Sequence, residues 1–207
     1  MTFSARGVLT ALILLSLTVV PLTAQAQSLT TNYDGGNSNN TGGGVFFDLN
    51  VLTAGGITIT SLDTNVAGGV AGNPVNLEIW VRSGTAAGFE ASAAGWTLIS
   101  SGSGVSSLTG VPTIIDVTDF SLSSGLTGVA IRNVDYGAEY NDGSNVYSNS
   151  DLSLTTGSAT NTFLAGGGVN SPRTWNGTLN YAVAPEPGSL ALLALGVIGG
   201  IFARRRM

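Results

Sequence analysis

The stretch that decides the fold of this chain is VNLEIWVR, residues 75–82. Apolar and polar side chains alternate along it, so in an extended conformation Val75, Leu77 and Ile79 share one face and Trp80 lies on the other. A segment of this kind is typical of a β-strand with one buried face. It predicts a sheet that covers a hydrophobic core with one of its sides.

Further segments of this type recur along the middle of the chain. They occupy residues 47–51, 57–60, 96–99, 113–117, 128–132, 151–155 and 178–183. Stretches rich in Gly, Ser and Asn separate them, and no segment between residues 27 and 184 repeats apolar residues at helical spacing for three turns. We therefore predict an all-β domain over residues 27–184, folded as an antiparallel two-sheet sandwich of the jelly-roll type.

The composition excludes several kinds of function. The 207 residues contain no Cys, His or Lys, which rules out disulfides, Cys/His zinc sites, a Ser-His-Asp triad, a thiol nucleophile and a Schiff-base lysine. Residues 27–184 hold eleven acidic residues and three arginines, and a surface this acidic disfavours nucleic acid and anionic lipid. It suits neutral glycans, cations or a hydrated matrix.

Residues 1–26 have the pattern of a secretory signal peptide. Arg6 precedes an apolar run at residues 8–20, and Pro21 and the small residues Ala24 and Ala26 follow. Signal peptidase requires small residues at those last two positions, so we expect cleavage after Ala26. The alternative is an N-terminal membrane anchor, for which the apolar run is short.

The C-terminal end of the chain combines three features in a fixed order. Pro185, Glu186 and Pro187 keep the chain extended, an apolar run of 16 residues follows at residues 188–203, and three arginines come last. Such a run forms about 24 Å of helix, slightly less than the thickness of a membrane core, and arginine side chains can reach across the difference. We predict a transmembrane helix with the arginines on the cytoplasmic side.

This arrangement, at residues 185–207, resembles the PEP-CTERM sorting signal of Gram-negative bacteria. In the resemblance, Pro185, Glu186 and Pro187 are the namesake motif, residues 190–202 are the helix, and the basic end is formed by Arg204, Arg205 and Arg206. It implies processing by an exosortase near the triplet, and export to the cell surface or the extracellular matrix in a host that makes exopolysaccharide. An ordinary single-span anchor is the alternative, but it leaves the triplet unexplained.

The middle of the chain also resembles a type of secreted bacterial β-sandwich. The likeness rests on a Gly-rich entry, on the pair Phe47-Asp48 and on the segment PRTWNGT at residues 172–178. It implies a β-sandwich fold and no particular activity.

Two loops carry oxygen-bearing side chains of the kind that calcium prefers. Residues 34–40 offer one carboxylate among Asn and Gly, a composition that is also typical of a flexible linker. Residues 139–145 offer Glu139 and Asp142 with two amides, and we predict these two carboxylates as ligands of a structural calcium ion. The alternative for this segment is a hairpin turn around Asp142-Gly143. No other cofactor is expected.

Aromatic rings that stack on sugar faces are the second kind of site in the sequence. Trp80 lies on the polar face of its strand, and Tyr136 and Tyr140 occur close together among carboxylates that suit sugar hydroxyls. The alternatives are a Trp80 that is covered by a loop and tyrosines that pair across strands. Arg173 and Trp175 are near neighbours, and we expect the arginine to stack on the tryptophan and fix the last strand.

A secreted glycosidase would need two carboxylates on either side of the scissile bond. The middle of the chain has three Glu and eight Asp, none of them in a recognisable motif. We therefore expect a non-catalytic component of the cell surface or the exopolysaccharide matrix, structural or biofilm-associated, with signal peptidase and an exosortase as partners. A glycan- or calcium-binding module that attaches to exopolysaccharide is the alternative.

Overall fold

A computed structural model describes residues 26–68 and 70–183 of the chain. Within these residues it contains thirteen β-strands and no helix. The strands are β1 Ala26–Thr30, β2 Asn37–Ser38, β3 Gly44–Val51, β4 Ile57–Thr64, β5 Pro74–Ser83, β6 Thr97–Val105, β7 Thr113–Leu122, β8 Gly125–Asn133, β9 Glu139–Asp142, β10 Val146–Ser148, β11 Leu152–Thr160, β12 Val169–Trp175 and β13 Gly177–Val183.

The strands join edge to edge in one continuous sheet, and their pairings are antiparallel. The order is β1-β13-β4-β7-β6-β5-β8-β3-β11-β12-β9-β2, with β10 paired to β11 beside this path. The prediction of an all-β antiparallel domain is confirmed. The strands form one continuous sheet, however, whereas the sequence predicts two separate sheets. The jelly-roll arrangement stays a prediction.

The alternation at residues 75–82 sets the two faces of β5. Val75, Leu77 and Ile79 are buried in the main core, whereas Asn76 is exposed. Trp80 lies on the opposite face from Ile79, as the alternation predicts. Burial of every second side chain is what stabilises a strand of this composition in a sheet.

The sheet curls, so that side chains from its two halves meet in one core. Leu62 of β4 and Leu179 of β13 line the same small internal void as Leu49 of β3 and Ile131 of β8. These strands lie on opposite sides of β6 in the sheet order. A flat sheet could not bring them together, so the curl is what buries the apolar face of each half.

β6 joins the two halves at positions where only glycine fits. A Cβ atom at Gly102 would collide with the carbonyl oxygen of Asp116, and one at Gly104 with that of Ile114. β6 pairs with β7 at three positions but with β5 at eight. The missing side chains allow the backbone of β7 to approach β6 closely at this point.

A second, smaller apolar cluster lies on the outer face of the sheet. Phe46 of β3 and Ala130 of β8 pack there against Trp96 and Leu164, which belong to the connections after β5 and after β11. Trp80 is half-buried against the same cluster. The alternative in which a loop covers Trp80 therefore describes its position correctly.

The sequence does not predict five of the strands, namely β1, β2, β9, β10 and β12. They are short or mostly polar, and hydrogen bonds to neighbouring strands hold them in place where the sequence has no alternation. The predicted terminal helices lie outside the described residues. Among the residues that are described, none forms a helix of the length and apolar character needed to span a membrane.

Candidate functional site

The two ends of the described chain pair with each other at one edge of the sheet. β1 lies antiparallel to β13, with Ala26 opposite Ala182 and Thr30 opposite Thr178. β13 in turn leads directly into the sorting signal predicted at residues 185–207. Both processing points predicted from the sequence thus lie within a few residues of this strand pair.

Most residues of the two predicted signals lie outside the described residues. They are Ala24, Pro185, Glu186, Pro187, Arg204, Arg205 and Arg206. Ala26 is described and is the exposed first residue of β1. The predicted scissile bond therefore connects two residues that both pair with β13. Because a peptidase binds an extended chain through its free backbone groups, cleavage after Ala26 has to precede the pairing of β1.

The three aromatic residues predicted as a glycan platform lie apart. Tyr140 is only 3% exposed, packs in the main core and donates its hydroxyl to the carbonyl of Ser38 at 3.2 Å. Tyr136 is half-buried against the same core. Trp80 lies in the outer cluster, with its ring centre 5.7 Å from that of Phe163. The structure does not assemble these rings into one surface.

Arg173 does not stack on Trp175, contrary to the prediction. Its guanidinium carbon lies 5.7 Å from the ring centre of Tyr140, and its Nε lies 3.1 Å from Oδ1 of Asp142. Trp175 is buried and stacks on Phe47, with ring centres 5.3 Å apart. The reason is that β9 and β3 supply cross-strand partners that cannot be read from the local sequence.

Glu139 and Asp142, the predicted calcium ligands, lie on opposite faces of β9, because they are three residues apart in a strand. Glu139 is 8% exposed, whereas the side chain of Asp142 is 68% exposed and pairs with Arg173. The alternative of a hairpin around Asp142-Gly143 is wrong, because β9 pairs with β12 and β2 while β10 pairs with β11. Calcium binding by Glu139 and Asp142 stays a prediction. Within residues 26–68 and 70–183, no three acidic side chains are grouped to hold a metal.

Glu139 belongs instead to a buried polar group that the sequence does not predict. Asn65 donates its backbone N–H to the carbonyl of Asn176 at 3.1 Å, and its own carbonyl accepts from the N–H of Glu139 at 3.0 Å. The amide of Asn141 donates to the carbonyl of Gly35 at 2.8 Å. A Cβ atom at Gly35 would lie 3.2 Å from Oε2 of Glu139 and 4.0 Å from Nδ2 of Asn65, so these side chains converge beside that loop. We name Asn65, Glu139, Asn141 and Asn176 the asparagine cluster.

Several polar atoms of the asparagine cluster have no hydrogen-bond partner among the described residues. They are Nδ2 of Asn65, Oδ1 of Asn141, and both Oδ1 and Nδ2 of Asn176. Asn65 and Asn176 are each 0% exposed. A buried polar atom that stays unpaired costs about 1–3 kcal/mol of stability, so a group of such atoms is a candidate site for a polar ligand.

Burial also shifts the ionisation of groups in and around the cluster. It raises the pKa of the Glu139 carboxyl, and a hydrogen bond from the backbone N–H of Gly36 opposes this only in part. Burial likewise raises the pKa of Asp63 on β4, against a hydrogen bond with Asn180. Tyr33 has a pKa raised to about 12, chiefly by burial. Burial thus disfavours the ionised form of each of these three groups, and a cation beside Glu139 would relieve that cost for its carboxylate.

The other two glutamates make contacts elsewhere. Glu78 on β5 forms an ion pair with Arg132 on β8 at 3.2 Å. Glu90, in the connection after β5, accepts a hydrogen bond from the hydroxyl of Ser158 at 3.0 Å. Each glutamate thus has its own partners in a separate part of the described structure.

Comparisons with known proteins give one sequence match and a distant structural similarity. The family model of the PEP-CTERM protein-sorting motif matches residues 183–206. No curated protein matches the chain. Among solved structures, it is similar to the cysteine protease and lectin-like domains of Cwp84, a surface layer associated protein of Clostridium difficile, with 10% identity and a TM-score of 0.46. That match covers 77% of this chain and 36% of the other.

Proposed function

We propose, from the PEP-CTERM sorting motif that this chain carries, that the protein is exported and is processed by an exosortase for delivery to the cell surface or the exopolysaccharide matrix. The single observation that carries the proposal is the match at residues 183–206. Its first residue, Val183, is also the last residue of β13. The motif therefore begins at the last described residue of the sheet.

Cleavage by an exosortase just after the end of β13 would leave the described domain intact. The ladder between β13 and β4 ends with Val183 opposite Ile57. Pro185 has no backbone N–H to donate, so it could not extend that ladder. Cleavage near Pro185, Glu186 and Pro187 removes no residue of the described sheet. Before the cut, the predicted helix at residues 188–203 holds the protein in the inner membrane.

We also propose that the domain itself is non-catalytic and structural. The chain has no Cys, His or Lys, and its three described glutamates are separated, which supports this reading. The two halves of the curled sheet face each other across one core, which is consistent with a sandwich-like domain. The acidic surface of this domain suits a hydrated polysaccharide matrix. The glycan-binding alternative has less support, because Tyr140 is buried and Trp80 lies in another cluster.

Mass spectrometry of the mature protein from its host tests the sorting proposal. We expect an N-terminus at Gln27 and the loss of everything beyond the Pro-Glu-Pro region. Replacement of Pro185, Glu186 and Pro187 by alanine, or deletion of the host exosortase gene, should leave the tail attached. Ser189→Ala, just after the triplet, is the matched control and should be processed normally. A surface-exported protein that still ends at Met207 would contradict the proposal.

Incubation of the purified mature protein with the exopolysaccharide of its host tests the non-catalytic part. We expect no release of reducing sugars. Turnover that disappears on replacing Glu78, Glu90 or Glu139 with glutamine would establish a glycosidase instead.

A further inference from the structure

We propose that the asparagine cluster binds a calcium ion, with Glu139 as the charged ligand and the side-chain oxygens of Asn141 and Asn176 as neutral ligands. This site differs from the loop predicted at residues 139–145, because it does not use Asp142. It does not depend on the proposed sorting either, since buried residues of the domain alone define it.

Backbone hydrogen bonds bring the ligand residues into one corner of the sheet. The ladder between β9 and β12 ends with Tyr140 opposite Trp175. Beyond it, the backbone of Asn65 lies between Glu139 and Asn176, because it accepts from the N–H of Glu139 and donates its own N–H to the carbonyl of Asn176. Asn141 lies two residues after Glu139 on β9 and therefore shares its face. Oxygen-bearing residues of β9 are thus neighbours of Asn176, which lies in the connection between β12 and β13.

The second observation is that the amide oxygens are available. Oδ1 of Asn141 and Oδ1 of Asn176 accept no hydrogen bond within the described part of the chain. The same holds for Oδ1 of Asn32, which follows Thr31. The hydroxyl of Thr31 donates to the carbonyl of Trp175 at 2.6 Å and accepts from the N–H of Gly177 at 3.0 Å, so the chain that leads to Asn32 runs beside the segment that holds Asn176. The carboxylate of Glu139 and the amide oxygens of Asn141 and Asn176 supply part of the six to eight oxygens that calcium takes.

The charge around Glu139 favours a cation. The three arginines among the described residues are engaged elsewhere, with Arg82 stacked on Phe89, Arg132 paired with Glu78, and Arg173 paired with Asp142. The titratable residues next to this corner in the sequence are also acidic, because Asp34 precedes Gly35 and Asp63 lies two residues before Asn65. Nothing positive in the described structure therefore compensates the buried carboxylate, and a calcium ion would do so.

The ligand set predicts both the affinity and the selectivity. A site with one carboxylate and neutral amides is expected to bind calcium with a Kd of roughly 0.1–1 mM, the range of extracellular modules. Magnesium demands a compact octahedron and retains its water ligands, so an enclosed group of amide oxygens should discriminate against it. The proposed export would place the domain where millimolar calcium is available.

Thermal unfolding of the full chain in detergent, followed by tryptophan fluorescence, tests this site. After removal of divalent ions, 10 mM calcium should raise the Tm by about 3–10 °C, and 10 mM magnesium should raise it far less. Glu139→Gln keeps the shape of the side chain and should abolish the calcium response. Asp142→Asn removes a carboxylate from the same strand and should leave the response unchanged.

Terbium luminescence gives a second readout that does not depend on stability. Terbium replaces calcium at oxygen sites, and Trp175 lies next to Asn176, so excitation of tryptophan should sensitise bound terbium, and excess calcium should quench the signal. A wild-type protein that shows neither a Tm response nor terbium binding would overturn the proposal. A calcium-dependent rise in Tm that survives Glu139→Gln would also overturn it. A rise that is lost in Asp142→Asn would overturn it as well, because it would show that calcium binds at the exposed loop at residues 139–145.

Discussion

Ala26, the first residue of β1, pairs with Ala182, the last residue but one of β13. Both ends of the described domain thus leave the sheet at the same place. β1 is an edge strand, and β13 is its one neighbour in the sheet order. Since the predicted signal peptide precedes β1 and the sorting motif follows β13, both predicted processing points lie next to this strand pair in the sequence.

The packing of β1 against the core should depend on a single side chain. Leu29 is the one buried residue of that strand. Leu29→Ala is expected to lower the free energy of unfolding by about 2 kcal/mol, near the lower end for buried leucines, and the Tm by about 4–8 °C. Thermal denaturation measures this. Ser28→Ala, on the exposed face of β1, should change stability by less than about 0.5 kcal/mol, and equal effects of the two variants would show that β1 does not contribute to the core.

Trp175 and Trp80 should differ in their contribution to stability. Trp175 is fully buried, stacks on Phe47 and donates Nε1–H to the hydroxyl of Thr64 at 3.3 Å. Trp175→Ala is expected to destabilise by about 3–5 kcal/mol. Trp80→Ala, in the half-buried outer cluster, should cost about 1–2 kcal/mol. Denaturant unfolding of both variants decides the order, and a larger loss for Trp80 would contradict the placement of the core.

The close approach of β6 and β7 should make Gly104 irreplaceable. Gly104→Ala places a methyl group against the carbonyl of Ile114 and the side chain of Ile115, and is expected to destabilise by about 3 kcal/mol or to prevent folding. Gly168 has open space around its Cβ position, so Gly168→Ala serves as the matched control. Circular dichroism and thermal melting should show a native-like Gly168 variant. A native Tm for Gly104→Ala would contradict the close approach of β6 and β7 at this position.

Glu139 should make the stability of the calcium-free protein depend on pH. Its pKa is raised by burial, so the folded state binds more protons than the unfolded state between the two pKa values. The contribution of Glu139 to stability is therefore fully present below its unfolded pKa of about 4.3 and is lost as the pH rises through its folded pKa.

Glu139→Gln should reduce the fall in stability with rising pH, to which the half-buried carboxyl of Asp63 also contributes, and should raise the Tm at neutral pH in the presence of a chelator. Melting curves of the wild type and of Glu139→Gln, measured from below about pH 4 to neutral pH, compare how stability depends on pH. Identical slopes for wild type and Glu139→Gln would mean that the carboxyl is not buried in solution.

The long strands could be predicted because their information is local. Alternation at residues 75–82 and 47–51 records which side chains meet the core, and the structure keeps those faces in β5 and β3. The short strands β2 and β9 have no such alternation of apolar and polar residues. They exist because distant segments supply hydrogen-bond partners, and the positions of Tyr140 and Glu139 follow from those partners.

The chain by itself determined two things: a β-rich domain, because side-chain periodicity is a property of consecutive residues, and a sorting motif, because its triplet, apolar run and arginines are read in linear order. Only the tertiary structure decided that Asn65, Glu139 and Asn176 meet in a buried corner and that Ala26 and Ala182, at the two ends of the described domain, lie side by side. Those contacts join residues from distant parts of the chain, and the loss of water that gives the buried carboxylate its significance arises only when the sheet curls around them.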